Sequence, residues 1–569
     1  MFEALTRGCL TVAGLVAFAL PSTALARQDD GDLGSALRGR VEVLRAGGRG
    51  MAAERPLLAR GALPAFYERR TFRPAWVEGR QGRALLEQLL TTIRSVAAHG
   101  LDPTDYHLTE IEALSALVHG ADAPTRDLPD APTGDLPDAP TGDLVDLELL
   151  ASDAFLVLGS HLLHGRVNPE TINPEWLANR RNAALEVILE QAVTEGRIAQ
   201  ALADLAPAQT RYRRMVEAGE RLRETARRGG WPRVSAGARL HSGARDPRVG
   251  PLRERLRASG DLTSRSSDEE LFDDDVDRAV RRFQARHGLE VDGVVGASTL
   301  AALNVSAEER ARQVEVNLER WRWLPADLGG RHVEVNIAGF GATVVDQGRV
   351  VATHRVVVGR QYRQTPMFSG LISYLVLSPY WHVPPNIAAL DKLPLIRDDV
   401  GTIAAQRMTL LDQASNEPVD PATVDWSSMT GSEFNRLYRL RQDPGPANAL
   451  GAVKFMFPNK HNVYLHDTPS RELFDRASRS FSSGCIRVED PLDLALYLLA
   501  DQPDWTRSRM DSIIATGREH TVRLREPVPV HLLYWTSWAD AEGAIHFRDD
   551  IYGRDDAVRR ALHAPPPGP

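Results

Sequence analysis

The chain has 569 residues, a hydrophobic content of 43% and a formal charge of −8 at pH 7. This length predicts three or four domains, and the hydrophobic content is sufficient for real cores. The negative charge and the lack of a sustained basic face argue against nucleic acid as a partner.

Residues 1–26 have the pattern of a secretory signal peptide. Arg7 precedes an apolar run over 9–20, and Ala24-Leu25-Ala26 is a small-residue cleavage site. The run is shorter than the roughly 20 residues that a membrane-spanning helix needs, so export with cleavage is favoured over a membrane anchor, and no later segment is expected to span. Removal of Cys9 with the peptide leaves Cys485 as the only thiol. A lone cysteine in an oxidising compartment is either inert and buried or chemically used.

Residues 27–60 are interpreted as a polar lead-in, and apolar spacing over 61–240 predicts a helical scaffold domain. Three octads, "DAPTRDLP", "DAPTGDLP" and "DAPTGDLV", interrupt this pattern. They have too little apolar surface to pack, so 121–146 is predicted to be a disordered surface loop without a catalytic role. His161 and His164 fit a helix face and are interpreted as structural or exposed.

Residues 244–305 form a compact unit with three predicted helices, and Val276, Val280 and Phe283 are expected on one face. "AVRRFQARHGL" followed by "DG", "G" and "TL" resembles a peptidoglycan-binding domain of the small three-helix type. The resemblance implies a wall-binding module. Residues 306–330 are predicted to be a linker helix.

From residue 331 the period changes to alternation, as in "RHVEVNIAGFGATVVDQGRVVATHRVVVG", which predicts a mainly β domain over 331–560. The polar, Asp-rich region at about 397–449 contains helical patches and reads as an insertion. Residues 561–569 are assigned to a tail.

The stretch "HDTPSRELFDRASRSFSSGCIRVEDP" (466–491) contains the candidate chemistry. A histidine can lower the pKa of a cysteine and shuttle protons during acyl transfer, which makes Cys485 a candidate nucleophile and His466 its base. Gly484 lets backbone N–H groups approach an oxyanion, and Arg487 could bind a substrate carboxylate. The alternative is a buried Cys485 with a structural strand-end His466, although Ser482, Ser483 and Gly484 would make a poor core segment.

This stretch resembles the catalytic signature of the L,D-transpeptidases, the YkuD-type cysteine enzymes of bacterial cell walls. The resemblance implies His466 as general base, Cys485 as nucleophile and Arg487 as a residue that shapes the site. Ser482, Ser483 and Gly484 would form the turn before the nucleophile. Ser483 departs from the commonest pattern, which has a histidine there, so a backbone carbonyl is expected to orient His466.

Two further segments, "VVVGRQYRQTPMFSGLISYLVLSPYWHVPPNIA" and "NALGAVKFMFPNKHNVYLHDTP", resemble the large periplasmic members of that family. These combine a helical scaffold, a peptidoglycan-binding domain and a mainly β catalytic domain with a helical capping insertion, an α+β multidomain fold. Candidate substrate-binding residues are Tyr380, Trp381, His382, Asn386, Tyr464 and Ser482. His382 stands where a small polar residue is expected.

The resemblance implies a periplasmic enzyme that joins two diaminopimelate residues in a 3-3 crosslink through a Cys485 thioester and releases D-alanine. Tetrapeptide stems would be donor and acceptor, a cell-wall synthase is a candidate partner, and susceptibility to carbapenems is implied. No metal or cofactor is expected, because no residue cluster has zinc-ligand spacing. The alternatives are an L,D-carboxypeptidase, a sortase-like transpeptidase and a wall-binding scaffold with a decayed site. Sortases place the histidine much farther upstream, and papain-like enzymes place cysteine before histidine.

Overall fold

The computed structural model describes residues 33–48, 50–119, 139–172 and 181–566. The expected signal peptide and most of the octad tract lie outside these residues. The described chain forms a helical N-terminal region, a small helical unit and a mainly β C-terminal domain, which confirms the predicted fold class. No helix in the described ranges is long and apolar enough to cross a membrane.

The N-terminal region packs around the helix Thr141–His164, whose side chains are almost all buried. The buried Glu148 carboxylate of this helix accepts hydrogen bonds from the backbone N–H groups of Ala75, Trp76 and Val77. The other helices are Leu33–Arg45, Ala62–Arg69, Gly79–Ser95, Leu108–His119, Pro169–Ile172, Leu185–Glu195, Ile198–Leu205 and Thr210–Arg227, with 3-10 turns at Val96–His99 and Pro103–Tyr106 and a short hairpin of Met51–Ala52 and Arg55–Pro56.

The structure adds a helix to one predicted segment of this region and shortens another. The lead-in 27–60 contains the helix Leu33–Arg45, which buries Leu37 and Val41 at helical spacing in the same core. The predicted loop 121–146 ends too late, because a helix already begins at Thr141 and buries apolar residues from its first turns.

The small helical unit has helices Val249–Ala258, Asp274–Arg286 and Ala297–Leu303. Val276, Val280 and Phe283 are fully buried in its core, which confirms the shared face. Val234 and Leu240 also belong to this core, and Leu240 bridges to Val295, so residues before the predicted start at 244 pack onto the unit.

The helix Ala307–Arg322 is not a free linker. Trp321 stacks on Trp535 at 4.9 Å between ring centroids, and Val314 and Leu318 lie in the core of the β domain. The helix therefore joins the helix Thr210–Arg227 to the β domain as part of one hydrophobic core.

The β domain is built on a nine-stranded mixed sheet. In spatial order the strands are Ser480–Ser482, Arg349–Gly359, Ile486–Val488, Leu465–His466, Val453–Met456, Phe368–Leu377, His520–Leu533, Arg331–Asn336 and Gly341–Asp346. The last of these also pairs with Arg349–Gly359, so the sheet closes on itself around a core of buried valines, leucines and isoleucines.

The insertion forms a subdomain with its own core, which we call the cap. It has a three-stranded sheet of Trp381–His382, Tyr438–Gln442 and Met408–Asp412, helices Pro385–Ile387, Leu393–Asp398, Thr402–Ala405 and Gly431–Leu437, a π turn at Ala388–Lys392 and a 3-10 turn at Pro421–Thr423. The predicted bounds of 397–449 are too narrow, because packing begins at Trp381. The prediction of a helical insertion is also incomplete, because the cap contains this sheet. Its strands are too short to show a clear alternation of apolar and polar residues in the sequence.

The rest of the domain contributes a 3-10 turn Arg471–Asp475, helices Pro491–Leu498, Arg507–Ala515 and Asp555–Leu562, and a hairpin of Ser537–Ala539 and Ile545–Phe547. The predicted tail starts too early, because the last helix ends at Leu562. Arg166 of the scaffold donates a 2.8 Å hydrogen bond to the Ala561 carbonyl, which ties this end to the N-terminal region.

Candidate active site

Two adjacent strands bring the predicted catalytic residues together. Leu465–His466 runs parallel to Ile486–Val488, with Leu465 opposite Ile486 and His466 opposite Arg487. Leu465 and Ile486 point into the core and are fully buried. Since side chains alternate along a strand, Tyr464, His466, Cys485 and Arg487 share the other face of the sheet.

The turn before Cys485 is held by hydrogen bonds from both sides. The Ser482 hydroxyl donates to the Cys485 carbonyl at 2.6 Å and accepts from the Gly484 N–H at 3.1 Å. Thr365 donates to the Gly484 carbonyl at 2.8 Å. Gly484 has a φ of +120°, a conformation that residues with a side chain avoid. Ser482 therefore shapes the turn, and Gly484 permits it.

The Cys485 thiol is half-buried and protonated at rest. Burial raises its pKa to about 11, although hydrogen bonds from Tyr464 and the positive charge of Arg487 partly oppose this. Its Sγ lies 3.8 Å from the Asn462 carbonyl, which accepts the thiol hydrogen. Cys485 is therefore a thiol at rest, and it would need a base in order to act as a nucleophile.

His466 is a neutral imidazole in this structure. Burial, followed by the charge of Arg487, lowers its pKa to about 3. The Asp467 carbonyl lies 2.5 Å from Nδ1, and because a carbonyl can only accept, Nδ1 must hold the hydrogen. Nε2 then has the free lone pair that a general base needs. A backbone carbonyl, in the role expected from sequence, orients this ring.

Arg487 places a positive charge beside both groups. Its Nε is buried without a hydrogen-bond partner, and burial followed by the nearby charge of Arg360 lowers its pKa. A guanidinium in this state favours an anion, so it can receive a substrate carboxylate.

Ser483 connects the turn to the cap. Its hydroxyl accepts a 2.9 Å hydrogen bond from Arg363, whose guanidinium also forms a two-pronged ion pair with Asp391 of the cap. Sequence reasoning missed Arg363, Asp391 and Thr365. The arginine-rich "GRQYRQTP" is a weak local signal, but the partners of these residues are remote in the chain.

The remaining predicted substrate-binding residues lie at the start of the cap. The Tyr380 N–H donates to Glu519 at 2.8 Å, and the Asn386 side chain accepts from the Ile387 N–H. His382 is exposed. Trp381 is buried in the cap core, which favours a packing role over an open binding surface. Tyr464, by contrast, packs against both the cap core and the main core, at the junction where the thiol lies.

Three protein-family models match this chain. Residues 330–523 match the model "L,D-transpeptidase catalytic domain", residues 245–303 match "Putative peptidoglycan binding domain", and residues 61–218 match "Scaffold domain". The chain therefore contains an L,D-transpeptidase catalytic domain, a peptidoglycan-binding domain and a scaffold domain. Domains of these kinds imply a location outside the cytoplasm.

Two curated proteins are similar to parts of this chain. A Haemophilus influenzae protein named "Putative L,D-transpeptidase" is 36% identical over 250 residues, which are 44% of this chain and 49% of that protein. The N-acetylmuramoyl-L-alanine amidase CwlM of Mycobacterium tuberculosis is 42% identical over 219 residues, 34% of this chain and 54% of that protein. The chain thus spans about half the length of the curated relatives it matches.

Among solved structures, an L,D-transpeptidase from Xylanimonas cellulosilytica is similar to 52% of this chain and 99% of its own length. The sequence identity is 17% and the TM-score is 0.18, which is too low to add to the argument.

Proposed function

We propose that this protein is a periplasmic L,D-transpeptidase that forms 3-3 crosslinks in peptidoglycan through a thioester on Cys485. The observation that carries the proposal is the shared sheet face of Cys485, His466 and Arg487, on which the imidazole is neutral and the thiol is protonated. That pairing suits a reaction in which the proton moves only as the bond to carbon forms.

In the first step, His466 Nε2 accepts the thiol proton while Sγ attacks the carbonyl carbon of diaminopimelate, the third residue of a donor stem. The C–N bond to D-alanine breaks, and His466 returns the proton to the departing amine. The product is a thioester between Cys485 and the donor stem. Arg487 is positioned to bind a carboxylate of this stem.

In the second step, the side-chain amine of diaminopimelate on a second stem attacks the thioester. His466 accepts a proton from the incoming amine and passes it to the departing sulfur. A C–N bond replaces the C–S bond, and the free thiol is regenerated. If water attacks instead, the same residues act as an L,D-carboxypeptidase.

The proposal is tested by incubating the purified protein with defined disaccharide-tetrapeptides and separating the products by mass. We expect a crosslinked dimer that lacks one D-alanine. Cys485→Ala should abolish it, and His466→Ala should slow it by roughly 100- to 10,000-fold, the usual contribution of a general base. The exposed His520 offers a matched control, and His520→Ala should retain full activity. Crosslinking by Cys485→Ala would disprove the assignment, and products that only lack D-alanine would indicate the carboxypeptidase.

A carbapenem provides an independent test of the nucleophile. The thiol should open its strained ring carbonyl and keep the whole molecule as an adduct, because the opened amine stays attached to the acyl group. Intact-protein mass spectrometry should detect one added carbapenem, and peptide mapping should locate it on Cys485. An adduct on a serine would point to a different nucleophile.

The proposed partners are two tetrapeptide stems, as donor and acceptor, with a cell-wall synthase as a further candidate. The match of residues 245–303 to a peptidoglycan-binding domain supports the substrate class. Deleting this domain should weaken sedimentation with purified sacculi more than acylation of Cys485 by a small acyl donor. Equal sacculus binding with and without the domain would reject its role.

A further inference from the structure

A lysine lies next to His466 on the face of the sheet that holds Cys485. Lys454 is directly opposite His466 in the pairing of their two strands. Both neighbours of Lys454 in its own strand are fully buried in the core, so the Lys454 side chain lies on the other face, with that of His466. Arg487 is opposite His466 on the far side. His466 therefore has a basic residue as its neighbour on each side.

The ammonium group of Lys454 has no partner in the described part of the chain. It makes no hydrogen bond there and no ion pair within 4.0 Å. Lys454 is half-buried, and its Nζ keeps solvent-accessible surface. Burial lowers the pKa of Lys454, because the charged form is poorly solvated in this position. A partly desolvated ammonium that a ligand can reach favours an anion.

The charges around Lys454 leave it positive. Among the described residues, Glu519 supplies the negative charge that acts on Lys454, but the effect of burial is larger. The Glu519 carboxylate also accepts the 2.8 Å hydrogen bond from the Tyr380 N–H. Burial lowers the pKa of His466 and of His382, and the positive charge of Lys454 lowers both further. The ammonium therefore acts on the space between the imidazole of His466 and the start of the cap.

The proposed reaction brings a carboxylate into this space. His466 returns its proton to the departing amine of D-alanine, so this amine must reach the imidazole. One carbon separates the amine from the carboxylate of the same D-alanine. Cys485, His466 and Lys454 belong to three consecutive strands of the sheet, which lie about 4.8 Å apart. The acyl carbon, the departing amine and the carboxylate can therefore lie over these three residues in that order.

We propose that Lys454 is a substrate-binding residue whose ammonium pairs with the terminal carboxylate of the donor stem, on the departing D-alanine. Arg487 then remains available for another carboxylate of the same stem. The contact is lost when D-alanine leaves, because it holds the leaving group and not the acyl group. This inference rests on the proposed function for the identity of the donor, but the contact can be measured without any reaction.

Binding of two matched stems to full-length Cys485→Ala, which cannot form the thioester, tests the contact. One disaccharide-tetrapeptide ends in D-alanine with a free carboxylate. The other ends in D-alaninamide, which has nearly the same size and no charge. Isothermal titration calorimetry should give a Kd about 10- to 100-fold lower for the free acid, the usual effect of a hydrogen bond to a charged group. Adding Lys454→Met should weaken binding of the free acid alone and make the two Kd values nearly equal.

Two further variants complete the test. Lys454→Gln is also neutral and of similar length, and it replaces Lys454→Met if that variant does not fold. Lys460 is an exposed lysine, so Lys460→Met is the matched control and should keep the preference for the free acid. A lysine that only supports the fold, or only changes the pKa of His466, would affect both stems alike.

Three results would overturn the proposal: equal binding of the two stems by Cys485→Ala, no binding of either stem, or a preference for the free acid that survives the loss of Lys454. A preference that Arg487→Gln removes and Lys454→Met does not would assign the terminal carboxylate to Arg487 instead. None of these results depends on crosslinking. Failure of the proposed function would appear separately, as the absence of crosslinked product from the unsubstituted protein.

Discussion

The resting state of Cys485 leads to a quantitative prediction about its reactivity. With a pKa of about 11, roughly 0.03% of the thiol is ionised at pH 7.5, compared with about 10% for a free cysteine of pKa about 8.5. The thiolate is thus about 300-fold scarcer. A thiolate of higher pKa is intrinsically more nucleophilic, and this raises its rate constant about tenfold. Alkylation should therefore be about 30-fold slower than in an unstructured cysteine peptide.

The assay follows iodoacetamide alkylation by intact-protein mass spectrometry from pH 6 to 9.5, with the cysteine peptide as internal reference. The rate should rise about tenfold per pH unit without a plateau. Arg487→Gln should slow alkylation further, because the positive charge beside Sγ lowers the thiol pKa. Arg518, an exposed arginine, offers the matched control Arg518→Gln.

A plateau below pH 8, or a rate at pH 7.5 equal to that of the peptide, would refute this reasoning. Either result would mean that the resting site holds a thiolate and an imidazolium. In that case the positive charge of His466 would stabilise the thiolate before the substrate binds, and His466 would not act as a base during the attack.

Three further predictions concern the turn, the cap and pH. Gly484→Ala should cost about 1–3 kcal/mol in unfolding free energy, because the φ of +120° is strained for alanine; unchanged denaturant unfolding would contradict this. Asp391→Asn should lower kcat about tenfold, because it releases Arg363 from the cap, whereas Asp398→Asn at an exposed position nearby should leave kcat unchanged. Equal kcat values for the two variants would show that the ion pair of Arg363 and Asp391 does not affect catalysis. The unfolding free energy should fall below about pH 6.5, by up to about 1.4 kcal/mol per pH unit for each of His287 and His466. The pKa values of both histidines are lowered in the folded state, so below pH 6.5 the unfolded state binds more protons than the folded state. An unfolding free energy that stays constant from pH 7.5 to 5 in denaturant titrations would argue against buried neutral rings.

Several features were predictable because they depend on short-range pattern. The helical spacing of Val276, Val280 and Phe283 predicts a buried face, and that face forms the core of the small domain. The strand-like stretch before His466 and the small-residue turn before Cys485 likewise indicate where a nucleophile and a base could stand. The domain boundaries were less predictable. Only the packing of the helix Leu33–Arg45 and of the strand at Trp381 shows that they belong to the N-terminal region and to the cap.

The sequence by itself determined the succession of helical, small helical and β domains, together with the candidate pair of Cys485 and His466, because local periodicity and residue type carry that information. Only the tertiary structure decided that Arg363 joins Ser483 to Asp391. It also decided that the thiol is protonated and the imidazole neutral. The physical reason is that pKa values and ion pairs depend on burial and on contacts between residues far apart in the chain, which spacing along the sequence does not encode.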